Sequence, residues 1–196
     1  MKSFLLTLLF VSLTTLSFSQ EVTKETAKDA DKKSTIEETP EVKFGVRAGF
    51  NISNLDFDPH PTFENKHRNG FAFGGFVDYG ITNTFSILAE LQYSAAGAEA
   101  ETLRADYIQL PILFRFNLGD SFIIGAGPMV GLKTWGYQDG FSKFAFSGVA
   151  GLEYQINDEF FIDARVHYGI TDILDENLTT FEATNTTIQF GFGIKM

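Results

Sequence analysis

An aspartate and a histidine, Asp163 and His167, lie four residues apart in a segment that alternates polar and apolar residues. Such a pair activates a serine nucleophile when the three side chains are hydrogen-bonded to one another. In an extended strand, however, four residues span about 13 Å, which is too far for direct hydrogen bonding. No serine lies two residues from His167 to complete a compact His-x-Ser arrangement. The sequence therefore predicts no catalytic residues and no enzyme activity, with His167 as a hydrogen-bonded polar residue.

A second group of potential ligands, Asp56, Asp58, His60 and His67, lies between two of the predicted elements. Carboxylates and imidazoles bind divalent metals, but this spacing matches no known closed site. Since loops are polar in any case, we expect a solvated loop, no metal and no cofactor. The formal net charge of −10 also argues against a nucleic-acid partner, because nucleic-acid-binding surfaces are basic.

The stretch Tyr107 to Leu132 indicates which elements carry the charged residues. Its first half alternates between an apolar set and a mixed set that includes Tyr107, Gln109 and Arg115. The apolar set is Ile108, Leu110, Ile112, Phe114, Phe116 and Leu118. A period of two residues is typical of a strand. A strand in a soluble sandwich is usually about 5 to 6 residues long, whereas a membrane-spanning strand needs roughly 9 to 11.

The same alternation recurs from Val42 to the C-terminus and predicts eight strands with no helix between them. The approximate strands are 42–53, 70–81, 84–96, two within 107–132, 143–156, 159–170 and 184–196. Short links at 82–84, 118–121 and 157–158 alternate with longer links at 55–69, 97–104, 135–140 and 171–183. This pattern predicts an all-β fold: an eight-stranded antiparallel up-and-down transmembrane β-barrel, with short periplasmic turns and longer extracellular loops.

A soluble eight-stranded barrel of the lipocalin kind is the rival fold, and it would turn its apolar face inward. Here the polar face combines charges with glycine, serine and alanine, which are too small and too polar for an outer wall. The apolar face is rich in aromatic residues, and the chain contains 22 Phe and 6 Tyr. Aromatic girdles mark the lipid-facing band of outer-membrane barrels. We therefore expect a monomer in the cell outer membrane, with outer-membrane lipid around it.

The N-terminal residues are expected to lie outside the barrel. Residues 1–19 combine Lys2 with a short apolar run and small residues, and they are interpreted as a signal peptide for export. Residues 20–41 are charged and lack aromatic residues, so we expect a disordered periplasmic arm. The barrel is predicted to occupy residues 42–196.

Four sequence runs carry a family resemblance. They are KFGVRAGFN at 43–51, YIQLPILFRF at 107–116, GAGPMVGL at 125–132 and RVHYGITDI at 165–173. These runs resemble the PorT-like outer-membrane β-barrel family of Bacteroidota, and the resemblance covers residues 42–196. It implies a small eight-stranded outer-membrane barrel with a possible link to protein secretion. The chain departs from many outer-membrane barrels in ending on Met196 instead of an aromatic residue.

Nine titratable residues occupy positions that are predicted to face the lumen. They are Arg47, Asp78, Glu90, Arg115, Glu153, Asp163, Arg165, His167 and Lys195. Because buried charges are tolerated only when they are paired, we predict a structural network of salt bridges across the lumen. A two-residue turn at 157–158 would place Glu153 beside Asp163, with Arg165 as the first candidate to neutralise both. Arg165→Ala is therefore expected to lower thermal stability.

The predicted role follows from the size of the barrel. An eight-stranded barrel is just wide enough for side chains to fill its interior. We therefore expect a plugged, non-enzymatic barrel with a structural or envelope-assembly role and unidentified protein partners. The alternative is a small pore or solute-binding barrel.

Two prolines, Pro111 and Pro128, fall inside the predicted central strands. Proline has no N–H to donate to a neighbouring strand, and a closed barrel offers no free edge for it. The sequence therefore predicts local bulges or a gap in the ladder at these positions.

Overall fold

The computed structural model describes residues 41–58, 66–134, 141–174 and 182–196, which form a closed antiparallel barrel of eight strands. The strands are β1 Val42–Asp58, β2 Arg68–Gly80, β3 Phe85–Gly97, β4 Arg104–Leu118, β5 Phe122–Lys133, β6 Phe144–Gln155, β7 Phe160–Gly169 and β8 Glu182–Lys195. Each strand pairs with its neighbour in sequence, and β1 pairs with β8 to close the wall. A short 3-10 helix, Glu101–Leu103, lies between β3 and β4, where no helix was predicted. No helix in the described residues is long and apolar enough to span a bilayer.

All eight predicted strands are present, and β1 and β4 extend furthest beyond their predicted bounds. β1 continues to Asp58 because it pairs with β8 as far as Glu182. β4 begins at Arg104 because it pairs with Gly97 of β3. Asp56 and Asp58 therefore belong to a strand instead of the predicted loop, and His60 lies outside the described residues. The signal peptide and the arm, except Glu41, also lie outside them.

The two faces of the wall differ in polarity as the alternation predicts. In β7, for example, Ile162 and Val166 are exposed, whereas Asp163 and Arg165 are buried. The apolar face points outward on all eight strands, which excludes the soluble arrangement and fits lipid contact. The three short links are confirmed as tight turns between β2 and β3, β4 and β5, and β6 and β7. Outer-membrane barrels turn tightly on the periplasmic side, so this end of the barrel faces the periplasm.

Aromatic side chains pair on the outer surface near both ends of the barrel. Near the short turns, ring centroids lie 5.0 Å apart in Phe85–Phe116, 5.1 Å in Phe122–Tyr154 and 5.8 Å in Phe160–Phe192. Towards the long loops, Phe71, Phe73 and Tyr93 form a cluster with centroids 5.5 to 6.2 Å apart. Such pairs suit the two membrane interfaces, where aromatic girdles anchor barrels.

The lumen contains two apolar clusters that the alternation alone does not predict. The inner cluster consists of Phe76, Leu88, Leu113, Met129, Val149 and Phe161. The outer cluster, towards the long loops, consists of Leu55, Ala96, Ala98, Ala105, Tyr107, Phe141, Ile173 and Ala183. Alternation identifies which positions face inward, but these apolar side chains fill part of an interior that we expected to be polar.

The prolines leave gaps in the ladder without bulges. Pro111 of β4 pairs regularly with β5, but two pairs are missing where it faces β3. Pro128 of β5 pairs regularly with β6, but two pairs are missing where it faces β4. The register is the same on both sides of each gap, so Met129 still faces inward and Val130 outward. The predicted gap is confirmed and the predicted bulge is wrong, because a proline removes a donor without inserting a residue.

Candidate functional site: a charge network in the lumen

The nine predicted lumen residues project inward from seven of the eight strands. All nine are buried, and none is more than 8% exposed. They are Arg47 of β1, Asp78 of β2, Glu90 of β3, Arg115 of β4, Glu153 of β6, Asp163, Arg165 and His167 of β7, and Lys195 of β8. Four cations thus face four carboxylates, with one histidine beside them.

Arg47 of β1 binds Asp163 of β7, although β1 and β7 are not adjacent in the barrel. Its Nε lies 2.6 Å from Asp163 Oδ2, and its Nη2 lies 2.5 Å from Asp163 Oδ1, which gives a two-point pair. Its Nη1 donates to Gln189 Oε1 at 2.5 Å. A side chain on Gly191 would collide with this pair, because a Cβ there would lie 2.3 Å from Arg47 Nη2. Because Gly191 has no side chain, the Arg47–Asp163 pair can lie against the inner surface of β8, between β1 and β7.

The pair between Arg165 and Glu90 crosses the lumen. Arg165 Nη1 donates to Glu90 Oε2 at 2.6 Å, although β7 and β3 lie on opposite sides of the barrel. Arg165 Nη2 also lies 3.2 Å from Asp163 Oδ2, and Arg47 Nη1 lies 3.9 Å from Glu90 Oε1. These contacts join β1, β3 and β7 in one group of charges. This group occupies the centre of the barrel.

A second group is centred on Arg115 and Glu153. Arg115 donates to Asp78 Oδ2, and its Nη2 lies 2.6 Å from Glu153 Oε1 as an ion pair without hydrogen-bond geometry. Lys195 Nζ donates to the same Glu153 oxygen at 2.5 Å, and Gln155 also donates to it. Since these partners lie on β2, β4, β6 and β8, the second group also spans the interior.

The register places Glu153 directly opposite Asp163, as the turn predicts. Arg165 was predicted to neutralise both carboxylates. The prediction is confirmed for Asp163, which pairs with Arg165, and wrong for Glu153, which does not. Arg115 and Lys195 neutralise Glu153 instead. The cations that neutralise Glu153 come from strands outside its own hairpin and reach it across the lumen. The register of the β6–β7 hairpin alone therefore does not identify them.

His167 is buried but stands apart from the network. Within the described part of the chain, neither of its ring nitrogens has a hydrogen-bond partner. It lies between Val149 and Thr187 in the ladder, and neither makes a hydrogen bond with its ring. The expectation that His167 is hydrogen-bonded is therefore not met. Among the described residues, no serine or carboxylate hydrogen-bonds to its ring, and a general base must lie within hydrogen-bond reach of its partner.

Neutral polar side chains that were not among the predicted network residues extend the network towards the long loops. Gln189 donates to Asn51 at 2.7 Å, Asn51 donates to Ser94 at 3.0 Å, and Gln92 donates to Gln109 at 2.9 Å. These residues could have been predicted to face the lumen, because they occupy the same alternating positions of each strand as the charged residues. These amides hydrogen-bond to one another on the long-loop side of the charges, although Gln92 Oε1 has no partner among the described residues.

Known proteins support the fold. A family model described as outer membrane protein beta-barrel domain matches residues 8–195. The solved structure of Ail, the attachment invasion locus protein of Yersinia pestis, is 18% identical, with a TM-score of 0.52; the match covers 80% of this chain and 99% of Ail. Neisserial surface protein A is 16% identical, with a TM-score of 0.53 and coverage of 78% and 97%. No curated protein sequence matches significantly.

Proposed function

Because this chain belongs to the outer membrane protein β-barrel domain family, we propose that it is a non-enzymatic outer-membrane barrel whose lumen does not conduct. Its role is structural or lies in envelope assembly. The observation that carries this proposal is the pair between Glu90 and Arg165, which joins opposite walls at the centre of the lumen. An ion or solute would have to break this buried pair to pass.

The apolar clusters support the same conclusion. The outer cluster includes Leu55, Tyr107 and Phe141 near the long loops, and each of them is almost fully buried. The inner cluster packs Phe76 against Phe161, with ring centroids 5.8 Å apart. Apolar side chains offer a permeating ion no replacement for its hydration shell. Two apolar layers and a paired charge layer therefore favour the structural role over the small pore.

A link to protein secretion is the finer part of the proposal, and it rests on the resemblance to PorT-like proteins. Deletion of the gene in the source bacterium is expected to reduce the amount of secreted protein while the outer membrane stays intact. An unchanged set of secreted proteins would remove the link and leave the closed barrel unaffected.

Solute flux into liposomes tests the closed lumen. Proteoliposomes that contain the full mature chain are expected to swell in a small sugar or amino acid no faster than empty liposomes. A general porin reconstituted at the same protein-to-lipid ratio provides the positive control. Swelling at a rate comparable to that of the porin would favour the small-pore alternative instead.

A further inference from the structure

Four buried charged residues in the lumen can pair in two ways; they are Arg47, Glu90, Asp163 and Arg165. In the observed pairing, Arg47 binds Asp163 at 2.5 and 2.6 Å. Arg165 binds Glu90 at 2.6 Å. In the alternative pairing, the two arginines exchange these carboxylates. Both pairings give each cation one carboxylate, so neither leaves a buried charge without a partner.

The contacts of the alternative pairing are already close in the observed structure. Arg165 Nη2 lies 3.2 Å from Asp163 Oδ2. Arg47 Nη1 lies 3.9 Å from Glu90 Oε1, which is buried and accepts no hydrogen bond from the described residues. A buried acceptor without a donor is unfavourable. Because a guanidinium has five N–H donors, Arg47 can supply the missing donor by moving about 1 Å closer, to the usual hydrogen-bond distance.

The two pairings differ in where the ion pairs lie. Since β3 and β7 are on opposite sides of the barrel, the observed Arg165–Glu90 pair crosses the lumen. In the alternative pairing, Arg165 and Asp163 belong to the same strand, β7. Arg47 and Glu90 lie on β1 and β3, which are separated only by β2. Both pairs would then lie along the wall, and neither would connect opposite sides of the barrel.

We propose that these four residues form a two-state switch, which opens the charged layer of the lumen when the arginines exchange partners. Breaking the Arg165–Glu90 pair alone would leave two buried charges unpaired, which is strongly unfavourable. Exchange avoids that state, because Arg47 pairs with Glu90 as Arg165 turns to Asp163. The inference rests on the proposed function, since the observed pairing is the closed state of the switch.

Gly191 allows the switch to adopt its closed state. It belongs to β8, which lies between the strands of Arg47 and Asp163. A Cβ at Gly191 would lie 2.3 Å from Arg47 Nη2 and 2.5 Å from Asp163 Oδ1. An alanine there would therefore separate this pair without removing any charge. The alternative pairing is the arrangement in which both displaced side chains find a new partner.

Two double variants test the exchange, and they differ only in which arginine is replaced. Arg47→Met/Asp163→Asn retains the pair that crosses the lumen. Arg165→Met/Asp163→Asn leaves Arg47 and Glu90, which can pair only in the alternative way. Because each variant retains one possible ion pair, we expect their melting temperatures in detergent to agree within about 4 °C. In single-channel recording, the first variant should be silent, like the native protein, and the second should show conductance steps.

Gly191→Ala tests the switch with all four charges present. We expect conductance steps from this variant and none from the control Gly75→Ala, where the nearest atom lies 3.6 Å from the added Cβ. The switch is overturned if Gly191→Ala or Arg165→Met/Asp163→Asn is silent, or if both double variants conduct. A melting temperature of Arg165→Met/Asp163→Asn far below that of its counterpart also overturns it, because Arg47 and Glu90 would then be unpaired. Conductance by the native protein would instead contradict the closed lumen of the proposed function.

Discussion

Replacement of Arg165 tests how much the lumen network stabilises the barrel. Arg165 is only 4% exposed and pairs with Glu90 at 2.6 Å and with Asp163 at 3.2 Å. In Arg165→Ala, Asp163 keeps its two-point pair with Arg47, but the nearest remaining cation to Glu90 is Arg47, at 3.9 Å. Glu90 would then be a buried carboxylate without a close partner. Removing one partner of a buried pair costs about 3 to 5 kcal/mol, so we expect a loss of that size in the free energy of unfolding.

The assay is equilibrium unfolding in urea, with the protein in detergent micelles and the folded fraction measured from its faster migration in unheated electrophoresis. Arg165→Met removes the positive charge but keeps an unbranched side chain. It is compared with Glu90→Gln and with the double variant Arg165→Met/Glu90→Gln. The double variant should recover much of the loss, because it removes the unpaired carboxylate together with the cation. Arg104→Met is the matched control, since the Arg104 side chain is 47% exposed and such a change typically costs less than about 0.5 kcal/mol. A loss in Arg165→Met no larger than in the control would refute the reasoning.

Two further predictions concern the wall at the prolines. Gly127→Ala is expected to destabilise the barrel by about 1 to 3 kcal/mol, because a Cβ there would lie 1.9 Å from the carbonyl oxygen of Ile112. Gly75→Ala is its control, since the nearest atom lies 3.6 Å from the added Cβ; equal melting temperatures for the two variants would contradict the close approach. Pro111→Ala is expected to supply an amide that pairs with β3, since the register already matches on both sides of the gap. Hydrogen exchange should show that the new amide of residue 111 is protected. If this amide exchanges as fast as those in the turn around Asp120, the missing N–H of Pro111 is not the cause of the gap between β3 and β4.

The fold could be predicted because the alternation that marks a strand involves residues that are adjacent in sequence. The alternation around Ile108 and Phe116 fixes which face meets lipid, and the short turn after Glu153 fixes its position opposite Asp163. Pairing across the lumen is not local in this sense. Glu90 and Arg165 are 75 residues apart and on opposite walls, so their contact depends on the register of every strand between them.

The filling of the lumen was harder to predict for a related reason. Phe76 and Phe161 lie in the inward phase of their strands, but large aromatic residues in a membrane barrel are expected on the lipid face. They fit inside because they pack beside glycines: a Cβ on Gly45 would lie 2.3 Å from the Phe76 ring, and one on Gly193 would lie 2.2 Å from the Phe161 ring. This complementarity links residues on different strands, and it becomes visible only once the strands are paired.

If paired charges and apolar layers close the lumen, as we propose, the barrel does not pass ions. Single-channel recording of the purified protein in a planar bilayer measures this property. We expect no stable conductance steps after insertion, in low or high salt, because the Glu90–Arg165 pair spans the centre of the barrel. Reproducible open-channel steps that scale with salt concentration would contradict it.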